Sequence, residues 1–136
     1  MFSLIKNRKI IFALLIIYWI ILFVATSLPS SSLPDIKVGD KIEHFAAFFI
    51  LAILLNISLK FQNKSKLFSE KSYLFTFIII FVYSIIDELH QHLIPGRFAD
   101  FYDFIADNIG AILGLLFTFI SNYIANIFYN KKSFNN

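Results

Sequence analysis

The 136-residue sequence predicts an all-α integral membrane protein, a four-helix bundle with both termini on the cytoplasmic side. Three observations carry that expectation. Hydrophobic residues make up 58% of the chain and the mean hydropathy is +0.73, an excess that a water-soluble domain of this size has too little interior to hide. The excess is segmental, arriving in blocks of Phe, Ile and Leu that approach the ~20 residues a helix needs to cross a hydrocarbon layer. Basic residues are shared unevenly among the connections: nine lie in the N-terminal tail, the Lys60 to Lys71 segment and the C-terminal tail, against three, Lys37, Lys41 and Arg97, elsewhere. By the positive-inside rule the Lys-rich ends face the cytoplasm.

The first block, Ile10 to Leu28, holds nineteen residues without a formal charge behind Lys6, Arg8 and Lys9. A signal peptide opens in the same way, and Ala25, Thr26 and Ser27 loosely imitate a cleavage site. Its apolar region is usually only about 7–15 residues, however, and more spans follow here, so a retained first helix over 10–28 is expected. Pro29, Ser30-Ser31-Ser32 and Pro34 mark a loop, because Pro cannot continue the helix and Ser competes for backbone hydrogen bonds. The second helix is expected over 40–59, and the Lys60 to Lys71 segment as a connecting loop. The third, over 72–92, is short of apolar residues: Tyr73 to Ile86 gives fourteen without a charge, so Asp87 to His92, or a flank before Tyr73, is needed to reach the membrane boundary. Pro95 and Gly96 break the chain before a fourth helix over 101–126, and residues 129–136 read as a disordered tail. Residues 1–136 thus form a single transmembrane domain, with no internal repeat.

The absence of cysteine excludes disulfides, thiolate metal sites and a Cys nucleophile. No basic stripe interleaved with polar aromatics is present, so nucleic acid is not an expected partner.

Nearly all the acids, the three histidines and Arg97 fall in or beside the two Lys-poor connections. Asp40 and His44 stand one turn apart on one face of the second helix. A carboxylate so placed orients an imidazole for acid–base work; in the plainer reading, Asp40 complements the helix dipole and His44 sits among headgroups. Asp87, Glu88 and Gln91 share an arc of the third helix, where adjacent carboxylates repel and require a proton, a cation or an arginine to neutralise them. The Ile94-Pro95-Gly96 turn delivers Arg97, whose planar fork suits a carboxylate or a phosphate; the plainer reading is a salt bridge to Asp87 or Glu88. Asp103 and Asp107 lie one turn apart at the start of the last helix. Gly110 and Gly114 follow at the small-xxx-small spacing that lets helices pack closely.

Ionisable groups in or near a bilayer are costly enough to be functional hypotheses. His44, Asp87, Glu88 and Asp103 are the catalytic candidates, Asp40, Lys41, Gln91, Arg97 and Asp107 the ligand-binding candidates, and Gly110 and Gly114 the packing residues. A hydrolytic metal site built from the same His and carboxylate groups is a lesser alternative, but His90 and His92 point about 160° apart on a helix and no tight metal-ligand motif is present, so neither a metal nor another cofactor is the expectation.

These residues, in this order, resemble the VanZ-like family of small bacterial membrane proteins, named after a teicoplanin-resistance accessory protein. The resemblance is carried by Asp40-Lys41-Ile42-Glu43-His44-Phe45, Asp87-Glu88-Leu89-His90-Gln91, Pro95-Gly96-Arg97, Asp103 with Asp107, and Gly110 to Gly114, between Leu28 and Leu116. One departure is Asp107, at a position that is often Asn in the family. The resemblance implies a multi-pass protein of the bacterial inner membrane, concerned with the cell envelope and with glycopeptide susceptibility. The leading functional expectation is an outer-face pocket that binds or modifies an anionic envelope component, a lipid-linked precursor or a surface polymer, with Arg97 and Lys41 on the anion. Membrane lipid and that ligand are the expected partners. A proton-coupled carrier and a noncatalytic membrane adaptor, with a purely structural polar network, are the alternatives.

Overall fold

The computed structural model describes residues 7–29 and 39–134, and every regular element among them is helical. In chain order these are α1 (Arg8–Thr26), α2 (Asp40–Phe61), a short α3 (Lys66–Glu70), α4 (Ser72–Gln91) and α5 (Phe101–Phe134). Four of them are long and apolar enough to cross a membrane: α1, α2, α4 and the Phe101–Phe128 part of α5. The protein is an all-α membrane helical bundle.

α2 is the hub, packing against α1, α4 and, most extensively, α5. Its buried face is Phe48, Leu51, Ala52 and Leu55, the spacing of one helical stripe. With Leu15, Ile80 and Ala111 these side chains make the core. Trp19 meets Tyr83 edge-on with ring centroids 5.1 Å apart, and the Tyr18 hydroxyl donates to the Ala47 carbonyl at 2.9 Å.

α4 inverts the pattern of a water-soluble amphipathic helix. Ser72, Thr76, Ser84, Asp87, Glu88 and Gln91 are buried, while Ile78, Val82, Ile86 and Leu89 are exposed. Lipid tails satisfy no hydrogen bond, so a helix in a bilayer turns its polar stripe inward and its apolar stripe out. α1 follows the same logic, with Ile16, Ile17, Ile20 and Ile21 exposed on a charge-free stretch.

Gly110 and Gly114 face the backbone of α2. A Cβ on Gly110 would overlap the Phe45 carbonyl oxygen, and one on Gly114 would fall 2.5 Å from that of Phe49. The two helices therefore cross backbone to backbone, which brings the start of α5 directly against the start of α2.

Several boundaries differ from the sequence expectation. α1 ends at Thr26 and α4 at Gln91, while α2 runs on to Phe61. The Lys-rich connection is not all loop, because Ser65 accepts from the Phe68 N–H at 3.5 Å and starts α3. The tail expected to be disordered is helical as far as Phe134. No Gly or Pro follows Gly114, so no residue breaks the helix once begun. The Ser30-Ser31-Ser32 and Pro34 part of the first connection, Lys37, and residues 135–136 lie outside the described residues.

Candidate functional site

The up-and-down course of the chain brings the end of α1, the start of α2, the end of α4 and the start of α5 to one end of the bundle. His44, Arg97 and most of the acids of the described residues meet there, away from the Lys-rich turn between α2 and α4. A cavity of about 460 Å³ opens among them. Leu22, Ala25 and Phe48 form part of its apolar wall, and Asp40, Glu43, His44, Asp87, Gln91, Arg97, Asp100 and Asp103 supply polar groups.

His44 is buried at the α2–α5 contact, with Nδ1 2.9 Å from Asp107 Oδ1 and 3.9 Å from Glu88 Oε1. Its orienting carboxylate is thus Asp107, 63 residues away, rather than Asp40 one turn before it. The close crossing at Gly110 explains this: with no Cβ to hold the helices apart, the turn carrying Asp107 rests on the turn carrying His44. Asp107 is wholly buried, and its second oxygen, Oδ2, has no hydrogen-bond partner among the described residues.

Arg97 reaches the site through the expected turn. Its N–H donates to the Ile94 carbonyl at 3.1 Å and Gly96 takes φ 77°, a left-handed conformation that glycine adopts without steric cost. The guanidinium does not pair with Asp87 or Glu88. Nε donates to the Leu28 carbonyl at 3.0 Å, Nη2 to that of Ala25 at 3.1 Å, and Nη1 to Gln91 Oε1 at 2.7 Å. It thereby ties the last turn of α1, at Ala25, and Leu28 just beyond it to the end of α4. Gln91 passes the link on, donating from Nε2 to Asp87 Oδ2 at 3.0 Å.

Lys41 lies at the rim, 2.8 Å from Asp100 and 3.0 Å from Asp103. This ammonium, aided by the Tyr102 N–H at 2.8 Å, holds the Asp100 carboxyl below the usual carboxylate range. Glu88 accepts the Asp100 N–H on Oε2 at 2.8 Å, while its Oε1, turned toward His44, has no hydrogen-bond partner among the described residues.

All the candidate catalytic and ligand-binding residues thus converge on one end of the bundle, and His90 and His92 stand apart. His90 stacks on Phe23 with centroids 5.1 Å apart. Its Nε2 lies 2.9 Å from Ser27 Oγ, which itself donates to the Phe23 carbonyl at 2.6 Å; this contact ties α1 to α4. His92 is exposed. Sequence reasoning did not single out Asp100, Ser27 or Asn108, whose Nδ2 donates to Ser84 Oγ at 3.1 Å. For Asp100 the signal was available in its charge beside Arg97 and Asp103; Ser27 carried none.

A family model described as VanZ/LLP1 matches residues 5–122, taking in the first helix as well as the polar motifs. No curated protein matches the chain, and no solved structure does. The match spans nearly the whole bundle, from before α1 to within α5, and on that ground the chain is a multi-pass membrane protein belonging to the VanZ/LLP1 family.

Proposed function

We propose that this protein binds, and acts upon, an anionic component of the bacterial cell envelope in the polar cavity at the outer face of the inner membrane. The observation that carries the reading is the cavity itself: about 460 Å³, lined both by Arg97, His44 and buried carboxylates and by apolar α1 and α2 residues. Three of the five guanidinium N–H groups of Arg97 are engaged by the described residues, which leaves donors for a phosphate or carboxylate. A second, mostly apolar hollow of about 300 Å³, lined by Ile85, Leu89, Phe101 and Phe104, adjoins the first at Asp100. A lipid-linked anion would place its head in the first and the start of its chain along the second. His44, oriented by Asp107, is a base held by a carboxylate, the arrangement that acid–base modification of such a ligand requires.

The orientation, with the Lys-rich end in the cytoplasm and the site outside, rests on the distribution of basic residues. A role in glycopeptide, including teicoplanin, susceptibility rests on the family membership. The test is binding of a long-chain isoprenoid phosphate, with the matching uncharged alcohol as control, to the full chain in lipid nanodiscs. Phosphate-selective binding that Arg97→Ala weakens at least roughly tenfold, at normal membrane abundance, supports the proposal. Equal binding of phosphate and alcohol refutes it. Proton flux in sealed vesicles, abolished by Asp87→Asn, would instead identify a carrier. Envelope function surviving neutralisation of the acids would identify an adaptor.

A further inference from the structure

Three carboxylates, Asp87, Glu88 and Asp107, are buried to 3%, 7% and 0% residue exposure, and one ligand-capable atom from each, with one from His44, all lie within 4.8 Å of one another. Like charges so close and so dry repel strongly unless a counter-charge is present. Among the described residues no permanent cation pairs with them. Lys41 is committed to Asp100 and Asp103, and Arg97 to Gln91 and two backbone carbonyls. Two atoms in the cluster, Glu88 Oε1 and Asp107 Oδ2, are buried acceptors without a hydrogen-bond partner among the described residues. Leaving such acceptors unpaired costs about 1–3 kcal/mol each, and more when they are charged.

From this geometry we infer that His44, Asp87, Glu88 and Asp107 form a binding site for one divalent transition-metal cation. A donor set of one imidazole and three carboxylates suits ions such as Mn²⁺ or Zn²⁺. The 2.9 Å contact of His44 Nδ1 with Asp107 Oδ1 is a hydrogen bond, and an ion ligated by both atoms takes the place of its proton; with Glu88 Oε1 3.9 Å from the same nitrogen, the donors lie within reach of bonds of about 2.0–2.2 Å. Outer hydrogen bonds already hold two of the ligands: Gln91 donates to Asp87 and the Asp100 N–H to Glu88, as supporting groups do around metal centres. His44 and Asp87 also line the cavity. An ion there offsets the acids and presents a positive centre to the phosphate or carboxylate of an incoming ligand. That bridging role rests on the proposed anion binding; the cation site does not.

The experiment titrates Mn²⁺ into the metal-stripped full chain in nanodiscs, read by electron paramagnetic resonance, with Zn²⁺ as competitor. Wild type should bind a single Mn²⁺ that Zn²⁺ displaces, and Glu88→Gln and Asp107→Asn should each weaken it at least roughly tenfold. Glu70→Gln, in the short helix at the opposite end of the bundle, should leave it in place. Glu88→Gln keeps an oxygen for the Asp100 N–H and carries the test should Asp107→Asn not fold. Binding by wild type no tighter than by the Glu88→Gln, Asp107→Asn double variant overturns the site, as does its loss in Glu70→Gln with retention in Glu88→Gln. Adding isoprenoid phosphate or inorganic phosphate, with Mn²⁺ or with chelator, separates the two readings. Mn²⁺ bound with no phosphate affinity upholds the cation site and refutes the proposed function; phosphate bound with no metal site does the reverse.

Discussion

Replacing Gly110 by Ala tests the contact on which the polar site is built. All three of the atoms nearest a Cβ at this position belong to the α2 backbone: the Phe45 carbonyl oxygen, which it would overlap, the Phe45 carbonyl carbon at 3.1 Å and the Phe49 nitrogen at 3.1 Å. No side-chain rotation relieves that overlap, so α5 must move away from α2 along much of their shared length. Overpacking costs about 1–3 kcal/mol, occasionally more, and backbone against backbone belongs at the upper end. Ala returns up to about 1 kcal/mol through its better helix propensity. A net loss of about 2 kcal/mol remains, roughly a thirtyfold fall in the folded-to-unfolded ratio. Unfolding by a denaturing detergent, followed through the fluorescence of Trp19, the single tryptophan, reads this directly. Gly39→Ala is the control, since nothing among the described residues lies within 4 Å of a Cβ there, and its loss of a favourable cap residue is offset by a stiffer unfolded chain. Because α5 carries Asp107 toward His44, the same displacement should weaken whatever the site binds. A Gly110→Ala protein as stable as wild type would refute the backbone-contact argument.

Arg97→Lys should behave as a loss rather than a conservative change, because an ammonium cannot span Gln91 and two carbonyls together; faster amide hydrogen exchange at the end of α1 is the measurement. Asn56→Leu should be neutral or stabilising by up to about 1 kcal/mol, since Asn56 is fully buried with Oδ1 unpaired and a bond of only 3.5 Å to Thr76; a clear loss in the same unfolding assay would contradict it. Lys41→Met should move the Asp100 carboxyl titration upward, toward the ordinary carboxylate range, because it removes the cation that lowers it; carbon NMR of labelled aspartate reports the shift. The chain has no native cysteine, so single introduced ones report sidedness. Phe98→Cys should react with a membrane-impermeant thiol reagent in spheroplasts and Asn63→Cys only after lysis, and the reverse would invert the proposed topology.

The four spans were legible in sequence because the property that defines them is local: a run of apolar residues long enough to cross a bilayer needs no partner to be recognised. The same holds for the turn at Pro95-Gly96 and for the small residues at 110 and 114, whose meaning lies in their own backbone freedom or missing Cβ. The helix ends were less legible. The capping oxygen of Ser65 and the absence of any breaker after Gly114 decide them, and those are weaker signals than a missing charge.

Which polar groups would collect at one end could likewise be anticipated, since an even number of crossings returns the Lys-poor segments to the same side. Their pairing could not. Helical spacing offered Asp40 to His44, whereas the crossing of α2 and α5 gives it Asp107. Charge offered Arg97 to Asp87 or Glu88, yet the guanidinium goes to Gln91 and the carbonyls of Ala25 and Leu28. Such choices depend on how closely two backbones approach and on which acceptors a helix end presents, distances between residues far apart in the chain. Only the packed bundle fixes them, and by fixing them it leaves Asp87, Glu88 and Asp107 around His44 with no permanent positive charge paired to them among the described residues.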